Sequence, residues 1–158
     1  NLFIMDWKKQ NMASQVLAPA NTKRVQTDII LDEISDEKFG QLFDGEISCF
    51  PIKGIPILQE HAFIHHASKT LILTDLAFNF GQDVKGWSSL FLKLYGAYNK
   101  FGPTFIVSTL IRDKVAFGES LKKVAAEDFD RIIVSHGRVI ESGGKPIFKS
   151  AFKKYLEN

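Results

Sequence analysis

The feature that most constrains the fold is a pair of apolar segments on either side of a short turn. Residues 60–65 form the first segment, and residues 70–74 (Thr-Leu-Ile-Leu-Thr) form the second. The second segment is apolar at consecutive positions, which is typical of a strand that is buried on both faces. Residues 67–69 supply the turn between them. The sequence therefore predicts adjacent antiparallel strands over residues 60–66 and 69–75.

Further elements are predicted around this hairpin. Pro51 cannot donate a hydrogen bond within a sheet, so residues 46–53 are predicted to form an edge strand or to contain a bulge. Helical spacing of apolar residues predicts helices packed on the sheet, and a short apolar run predicts one late strand. The helices cover residues 87–99, 113–126 and 144–156, and the late strand covers residues 130–135. Strands followed by helices indicate a single α/β or α+β domain over residues 1–158.

The pattern before the hairpin is weaker. It predicts a helix over residues 1–11, strands over 15–18 and 29–31, and a solvated acidic turn over 32–37. After the hairpin, residues 78–81 are predicted to form a loop, and residues 101–103 are predicted to end the helix before them. Chain termini are usually polar and frayed, whereas this sequence opens on apolar Leu2, Phe3 and Met5. We therefore expect a further segment upstream of Asn1.

Composition excludes several classes of protein. The single cysteine, Cys49, excludes an internal disulfide and a cysteine-rich zinc site, and a cysteine-poor chain without a leader predicts the cytoplasm. The apolar runs are far shorter than the roughly 20 residues that span a bilayer, so no membrane partner is expected. Residues 1–79 carry 7 Lys/Arg against 10 Asp/Glu (−3), and residues 80–158 carry 13 against 8 (+5). We interpret this excess as solvated helix faces in preference to a nucleic-acid surface.

Three of the four histidines lie within residues 61–66. In a strand, His61 and His65 share one face with Phe63 between them. Imidazole is a common zinc ligand, so this segment is one candidate metal site. Hydrogen-bonded histidines at the end of a hairpin are the favoured interpretation.

Two polar residues follow predicted strands. Open α/β folds place their chemistry at strand ends, which makes Asp75 and His136 candidate functional residues. We expect Asp75 to be buried with a partner, and Thr74, Asn79 and His136 are the candidates. The alternative is that Asp75 caps the following turn. For His136 the alternatives are a ligand contact and a buried polar residue that ties two loops together.

Common catalytic signatures are absent from the sequence. It contains no phosphate-binding P-loop, no dinucleotide-binding glycine motif and no nucleophile elbow. Residues 142–145 (Ser-Gly-Gly-Lys) precede a predicted helix and could hold an anion, but a plain loop is the favoured interpretation.

The order of these motifs resembles the C-terminal part of the metallo-β-lactamase fold. Residues 68–76 (Ser-Lys-Thr-Leu-Ile-Leu-Thr-Asp-Leu) look like the strand that ends in the metal-bridging aspartate of that superfamily. Residues 132–137 (Ile-Ile-Val-Ser-His-Gly) look like its last metal-ligand strand. More specifically, the chain is similar to an uncharacterised bacterial and fungal branch of that superfamily, and the resemblance covers roughly residues 1–156. The pattern of that branch is matched by Glu60, Phe63, His65, Ser68, Lys69, Thr70, Leu71, Thr74, Asp75 and Leu76.

This resemblance implies an αββα sandwich and a metal-dependent hydrolase that uses zinc or iron. Asp75 and His136 would be metal ligands within about 8 Å of each other, given metal–ligand bonds of ~2 Å. His65 would support a ligand or replace one. A bound metal would lower the pKa of a water towards ~7 and polarise an ester, amide or phosphoester bond of a small-molecule substrate.

The chain departs from the superfamily at its main signature. His-x-His-x-Asp-His does not occur, and the usual Pro-Gly-His turn is replaced by Gly54-Ile55-Pro56. A catalytic zinc takes three protein ligands, so we expect weak binding of metal by this chain or none. The alternative function is therefore a metal-free, degenerate member of the fold that acts as a binding or structural module. Nucleic-acid processing is the weakest hypothesis, and a homodimer is compatible with either function.

Overall fold

The computed structural model describes residues 6, 9–10, 15–18, 32–33 and 36–157. These residues form strands and helices in a mixed α/β arrangement. In chain order they are β1 (Leu17–Ala18), β2 (Asp32–Glu33), α1 (Asp36–Leu42), β3 (Ile47–Pro51), β4 (His61–His65), β5 (Thr70–Leu73), β6 (Phe78–Phe80), α2 (Trp87–Leu94), β7 (Lys100–Gly102), α3 (Phe105–Leu110), α4 (Lys114–Ala126), β8 (Arg131–Val134), α5 (Gly144–Ala151) and α6 (Lys153–Leu156).

Four strands form the central sheet, in the order β3-β4-β5-β8. β4 is antiparallel to β3 and β5, with Ile64 opposite Leu71, which confirms the predicted hairpin. β5 and β8 are parallel, with Leu71 opposite Ile132. The apolar run of β5 is explained by its place between two strands, and Pro51 ends β3 at the sheet edge as predicted.

One face of the sheet is covered by helices. Ile64, Leu71 and Ile132 lie side by side on this face and are fully buried. Helix α4 buries Phe117, Leu121 and Val124 at i, i+4 and i+7, the spacing of one helix face. Burial of one such side chain contributes about 1.5–3 kcal/mol, so this layer stabilises the fold. Phe148 and Phe152 complete the core from the C-terminal helices.

The predicted helix over residues 113–126 is confirmed as α4, and its boundaries have clear causes. Asp113 caps the start, because its Oδ1 accepts a hydrogen bond from the backbone N–H of Ala116 at 3.0 Å. Beyond the end, Lys145 Nζ donates to the backbone oxygen of Glu127 at 2.6 Å. The predicted helix over residues 144–156 is present as α5 and α6, which are separated at Phe152.

Residues 78–81 were predicted to form a loop, and this is wrong. Residues 78–80 form β6, which pairs with β7, so residues 101–103 do not end a helix. Three residues are too few for a period-two pattern to be recognised. The helix over residues 87–99 ends at residue 94, since Gly96 has φ 69°, a left-handed conformation that terminates helices. None of the residues in α2 is buried, so the expected packing of this helix on the sheet is also wrong.

The acidic stretch over residues 32–37 is not a solvated turn. Residues 32–33 form β2, which is parallel to β1, and residue 36 begins α1. Acidic residues favour the first turn of a helix, which the prediction overlooked. β1 confirms part of the strand predicted over residues 15–18. The predicted strand over residues 29–31, and most of the helix over residues 1–11, lie outside the described residues.

Within the described ranges, we find no helix whose length and apolar character would let it cross a bilayer.

Candidate functional site

Asp75 and His136 meet at one edge of the central sheet. Each lies two residues beyond the end of its strand, and β5 and β8 are parallel neighbours, so both side chains emerge at the same edge. His136 Nε2 lies 3.1 Å from Asp75 Oδ1, although the two residues are 61 positions apart in the chain. The prediction that these residues lie within about 8 Å of each other is confirmed.

The expectation that Asp75 is buried is wrong. Its side chain is 55% exposed, and that of His136 is 48% exposed. The buried carboxylate at this end of the sheet is Glu60, which is 3% exposed. Glu60 immediately precedes the hairpin strand β4. It is buried, whereas the sequence predicted burial of Asp75.

Glu60 fixes the backbone that leads to Asp75. Its Oε1 accepts a hydrogen bond from the backbone N–H of Thr74 at 2.8 Å, and its Oε2 accepts one from the N–H of Asp75 at 3.1 Å. The Thr74 hydroxyl also donates to Oε2. Sequence reasoning assigned no role to Glu60. The hairpin register was the available signal, because antiparallel pairing brings the residue before β4 next to the residues after β5.

The position of His136 is set by β6. Its backbone oxygen accepts a hydrogen bond from the N–H of Asn79 at 3.0 Å, and its ring stacks on Phe78 with centroids 5.0 Å apart. Gly137 has φ 112°, and a Cβ there would lie 2.2 Å from the Asn79 oxygen. Only glycine permits this close approach, which holds the turn after β8 against β6.

The pair orients an imidazole at a solvent-accessible edge. When Asp75 is ionised its Oδ1 only accepts hydrogen bonds, and the donor is then His136 Nε2. The nearby Arg138 forms an ion pair with Asp83 at 2.8 Å. Among the described residues, no ion pair joins Arg138 to Asp75. A carboxylate–imidazole pair is suited to proton transfer or to metal binding.

His65 is not brought to this pair. It lies opposite Thr70, at the start of β5, whereas Asp75 follows the end of β5. His65 is therefore at the other edge of the sheet, where its Nδ1 lies 2.7 Å from Ser68 Oγ. A role for His65 beside Asp75 and His136 receives no support from this geometry.

The other two histidines of the hairpin also have hydrogen-bond partners. His66 Nε2 lies 2.8 Å from Ser48 Oγ, and His61 Nδ1 donates to the backbone oxygen of Gln59 at 3.0 Å. These contacts support the interpretation of residues 61–66 as hydrogen-bonded histidines of a hairpin.

The donor set at the Asp75–His136 edge is small. Among the residues that the structure describes, no group of three or more His, Cys, Asp or Glu side chains is placed to hold a metal ion. At the start of α5, the N–H of Gly143 donates to Asp130 Oδ1 at 2.7 Å. Because Asp130 already occupies this position, the contact supports a plain loop before α5 in preference to an anion site at residues 142–145.

Comparison of the sequence with models of known protein families gave no match, and comparison with curated proteins gave none either.

Proposed function

We propose that this chain is a metallo-β-lactamase-like protein, and that Asp75 and His136 are its contribution to the site of a metal-dependent hydrolase. The observation that carries this proposal is the 3.1 Å contact between two residues 61 positions apart. They follow adjacent parallel strands and lie half exposed at the sheet edge. Strand ends of this kind are where α/β proteins place ligand and catalytic groups.

The open face of the sheet supports the sandwich part of the proposal. A row across the four strands lies on the face opposite α4 and consists of Cys49, Phe63, Ile72 and Ile133. Phe63, Ile72 and Ile133 are only partly buried, and Phe39 of α1 contacts Phe63 with ring centroids 5.2 Å apart. An apolar row of this kind is suited to packing against a second sheet, as an αββα sandwich requires.

The described residues by themselves do not make a catalytic zinc or iron centre. Such a centre takes three protein ligands, and this edge supplies one carboxylate and one imidazole. Metal binding by this chain is therefore expected to be weak. Asp75 Oδ1 accepts a hydrogen bond from His136 Nε2, and this contact fixes the orientation of the ring. We propose a small molecule with an ester, amide or phosphoester bond as the substrate class.

A metal-free binding or structural module is the second candidate. It is favoured by the direct hydrogen bond between Asp75 and His136, in which each side chain is the partner of the other. In this case the pair ties together the ends of β5 and β8 and needs no ion.

Hydrolysis assays on the full chain separate the two candidates. The protein is treated with chelator, supplied with Zn²⁺ or Mn²⁺, and assayed with p-nitrophenyl acetate and bis(p-nitrophenyl) phosphate. The hydrolase proposal predicts a metal-stimulated rate that Asp75→Ala and His136→Ala each reduce to the rate of the free ion. His65→Ala, at the other sheet edge, is the matched control and should retain the rate. Equal rates in all four proteins would contradict the hydrolase and favour the module.

A further inference from the structure

We propose that helices α2 and α3 form a docking surface for an anionic lipid bilayer. Trp87, Leu90, Phe91 and Leu94 follow the i, i+3, i+4, i+7 spacing of one helix face. In a folded domain this face normally packs on the core, but here all four side chains are exposed, Trp87 by 86% and Leu94 by 74%. Contiguous exposed apolar surface of this kind marks an interaction site.

Helix α3 extends this surface. The N–H of Phe105 donates to the backbone oxygen of Tyr95 at 2.9 Å, which holds the start of α3 beside the end of α2. Phe105 and Ile106 are both exposed. Beside α2 lies an apolar groove of about 590 Å³, which the helix lines together with Phe80 and Val84. The apolar surface therefore covers two helices and an adjoining groove.

The charge of this region identifies the occupant. Residues 84–112 contain four basic residues and no Asp or Glu; the basic residues are Lys85, Lys93, Lys100 and Arg112. The nearest upstream acid, Asp83, is paired with Arg138 at 2.8 Å. A second copy of the chain would place this positive charge against itself, whereas anionic headgroups complement it. Trp, Phe and Leu combined with lysine is the composition of helices that lie at a membrane surface.

The shape of the surface favours a bilayer over an acidic protein. The most exposed side chains stand at both ends of α2 and on α3, so they extend beyond the groove to a second helix. A fluid interface accommodates side chains that protrude to different heights. The sequence expectation of no membrane partner rested on the absence of a spanning segment, and surface docking requires none. This proposal is independent of the Asp75–His136 site.

Vesicle binding by the full chain tests the proposal. Trp7→Phe leaves Trp87 as the only tryptophan and hence as the reporter. We expect sedimentation with vesicles of phosphatidylcholine and phosphatidylserine, together with a blue shift of the Trp87 emission. The double variant Lys85→Gln/Lys93→Gln should weaken binding about 25-fold, because each lysine near an anionic surface contributes a factor of about five.

A matched pair of variants distinguishes vesicle binding through the docking surface from nonspecific binding by any exposed apolar residue. Leu94→Ser should weaken vesicle binding, whereas Leu42→Ser should not, because exposed Leu42 lies on α1, which packs against the edge strand β3. Both substitutions are at exposed positions, so the unfolding midpoint serves as a check that each variant is folded. Three results would overturn the proposal: no binding to anionic vesicles, equal binding to pure phosphatidylcholine, or a dimer that Leu94→Ser dissociates.

Discussion

Two carboxylates at the same end of the β4–β5 hairpin have contrasting environments. Glu60 is 3% exposed, and its oxygens accept hydrogen bonds from two backbone N–H groups and one hydroxyl. Asp75 is 55% exposed, and its Oδ1 contacts the imidazole of His136. The buried acid holds the structure together, whereas the exposed acid has a titratable partner that solvent and ligands can reach. Burial alone would therefore have selected Glu60 and not the pair that we propose as the site.

The largest effect is expected from Glu60→Ala. Two backbone N–H groups would lose their acceptor in a partly buried site, and hydrogen bonds to a charged group contribute about 1.5–3 kcal/mol each. We expect urea denaturation to show a loss of about 3 kcal/mol in the free energy of unfolding. Glu60→Gln retains an acceptor oxygen and should lose less. If Glu60→Ala costs no more than Asp75→Ala, the distinction between the two acids fails.

Gly137→Ala tests the close approach between the turn after β8 and β6, which positions His136 of the exposed pair. The new Cβ would meet the Asn79 oxygen at a backbone conformation with φ 112°. Strain at such a position costs about 1–3 kcal/mol, and we expect a loss of about 2 kcal/mol in thermal or urea unfolding. Gly143→Ala is the matched control, since Gly143 also has positive φ but no atom within 4 Å of the added Cβ. Equal losses in the two variants would show that the contact with Asn79 is unimportant.

A smaller effect is expected when the exposed pair itself is removed. Asp75→Ala, His136→Ala and the double variant form a thermodynamic cycle measured by urea denaturation. Exposed ion pairs contribute about 0.2–1 kcal/mol, so the coupling energy should lie in this range. A coupling energy above about 2 kcal/mol would make the pair structural, like Glu60.

The smallest effect is expected for the exposed ion pair between Lys69 and Asp128. This pair lies before the starts of β5 and β8, at the end of the sheet away from Asp75 and His136. The hydrogen bond from Lys69 and its charge lower the pKa of Asp128, and the same contact raises the pKa of Lys69. Nζ lies 2.7 Å from Oδ2. The contribution of Asp128 to stability is therefore present above the unfolded pKa of about 3.9 and is lost as the pH falls through the lower folded value. The contribution of Lys69 to stability is present below its unfolded pKa of about 10.4 and is lost as the pH rises through its higher folded pKa.

A carboxyl-carbon NMR titration measures the pKa of Asp128 directly. Lys69→Met should return this pKa to the usual range. Lys9→Met is the control and should leave the pKa of Asp128 unchanged, because Lys9 pairs with Asp6. A pKa of Asp128 that does not respond to Lys69→Met would contradict the assignment of its cause.

The hairpin could be predicted from the sequence because apolar runs define strands. The convergence of Asp75 with His136 was implied only by the resemblance to the metallo-β-lactamase fold, because apolar runs do not show that β5 and β8 are parallel neighbours. Glu60 was placed in the predicted strand, but its burial and its partners were missed, because the period-two pattern does not show which backbone groups lie beside the carboxylate. Helix α2 was predicted to pack on the sheet because the spacing of Leu90, Phe91 and Leu94 defines an apolar face, but this spacing does not show what covers the face. Burial and partners depend on tertiary contacts that periodicity does not contain.

The most direct test of the central claim is a Zn²⁺ titration of the isotopically labelled full chain, followed by NMR. We expect the imidazole signals of His136 and the carboxyl signal of Asp75 to change together, ahead of those of His61, His65 and His66. Binding should be weak, since the pair supplies two of the three ligands of a catalytic zinc. A response that begins at His65 or His66 and leaves His136 and Asp75 unchanged would contradict it.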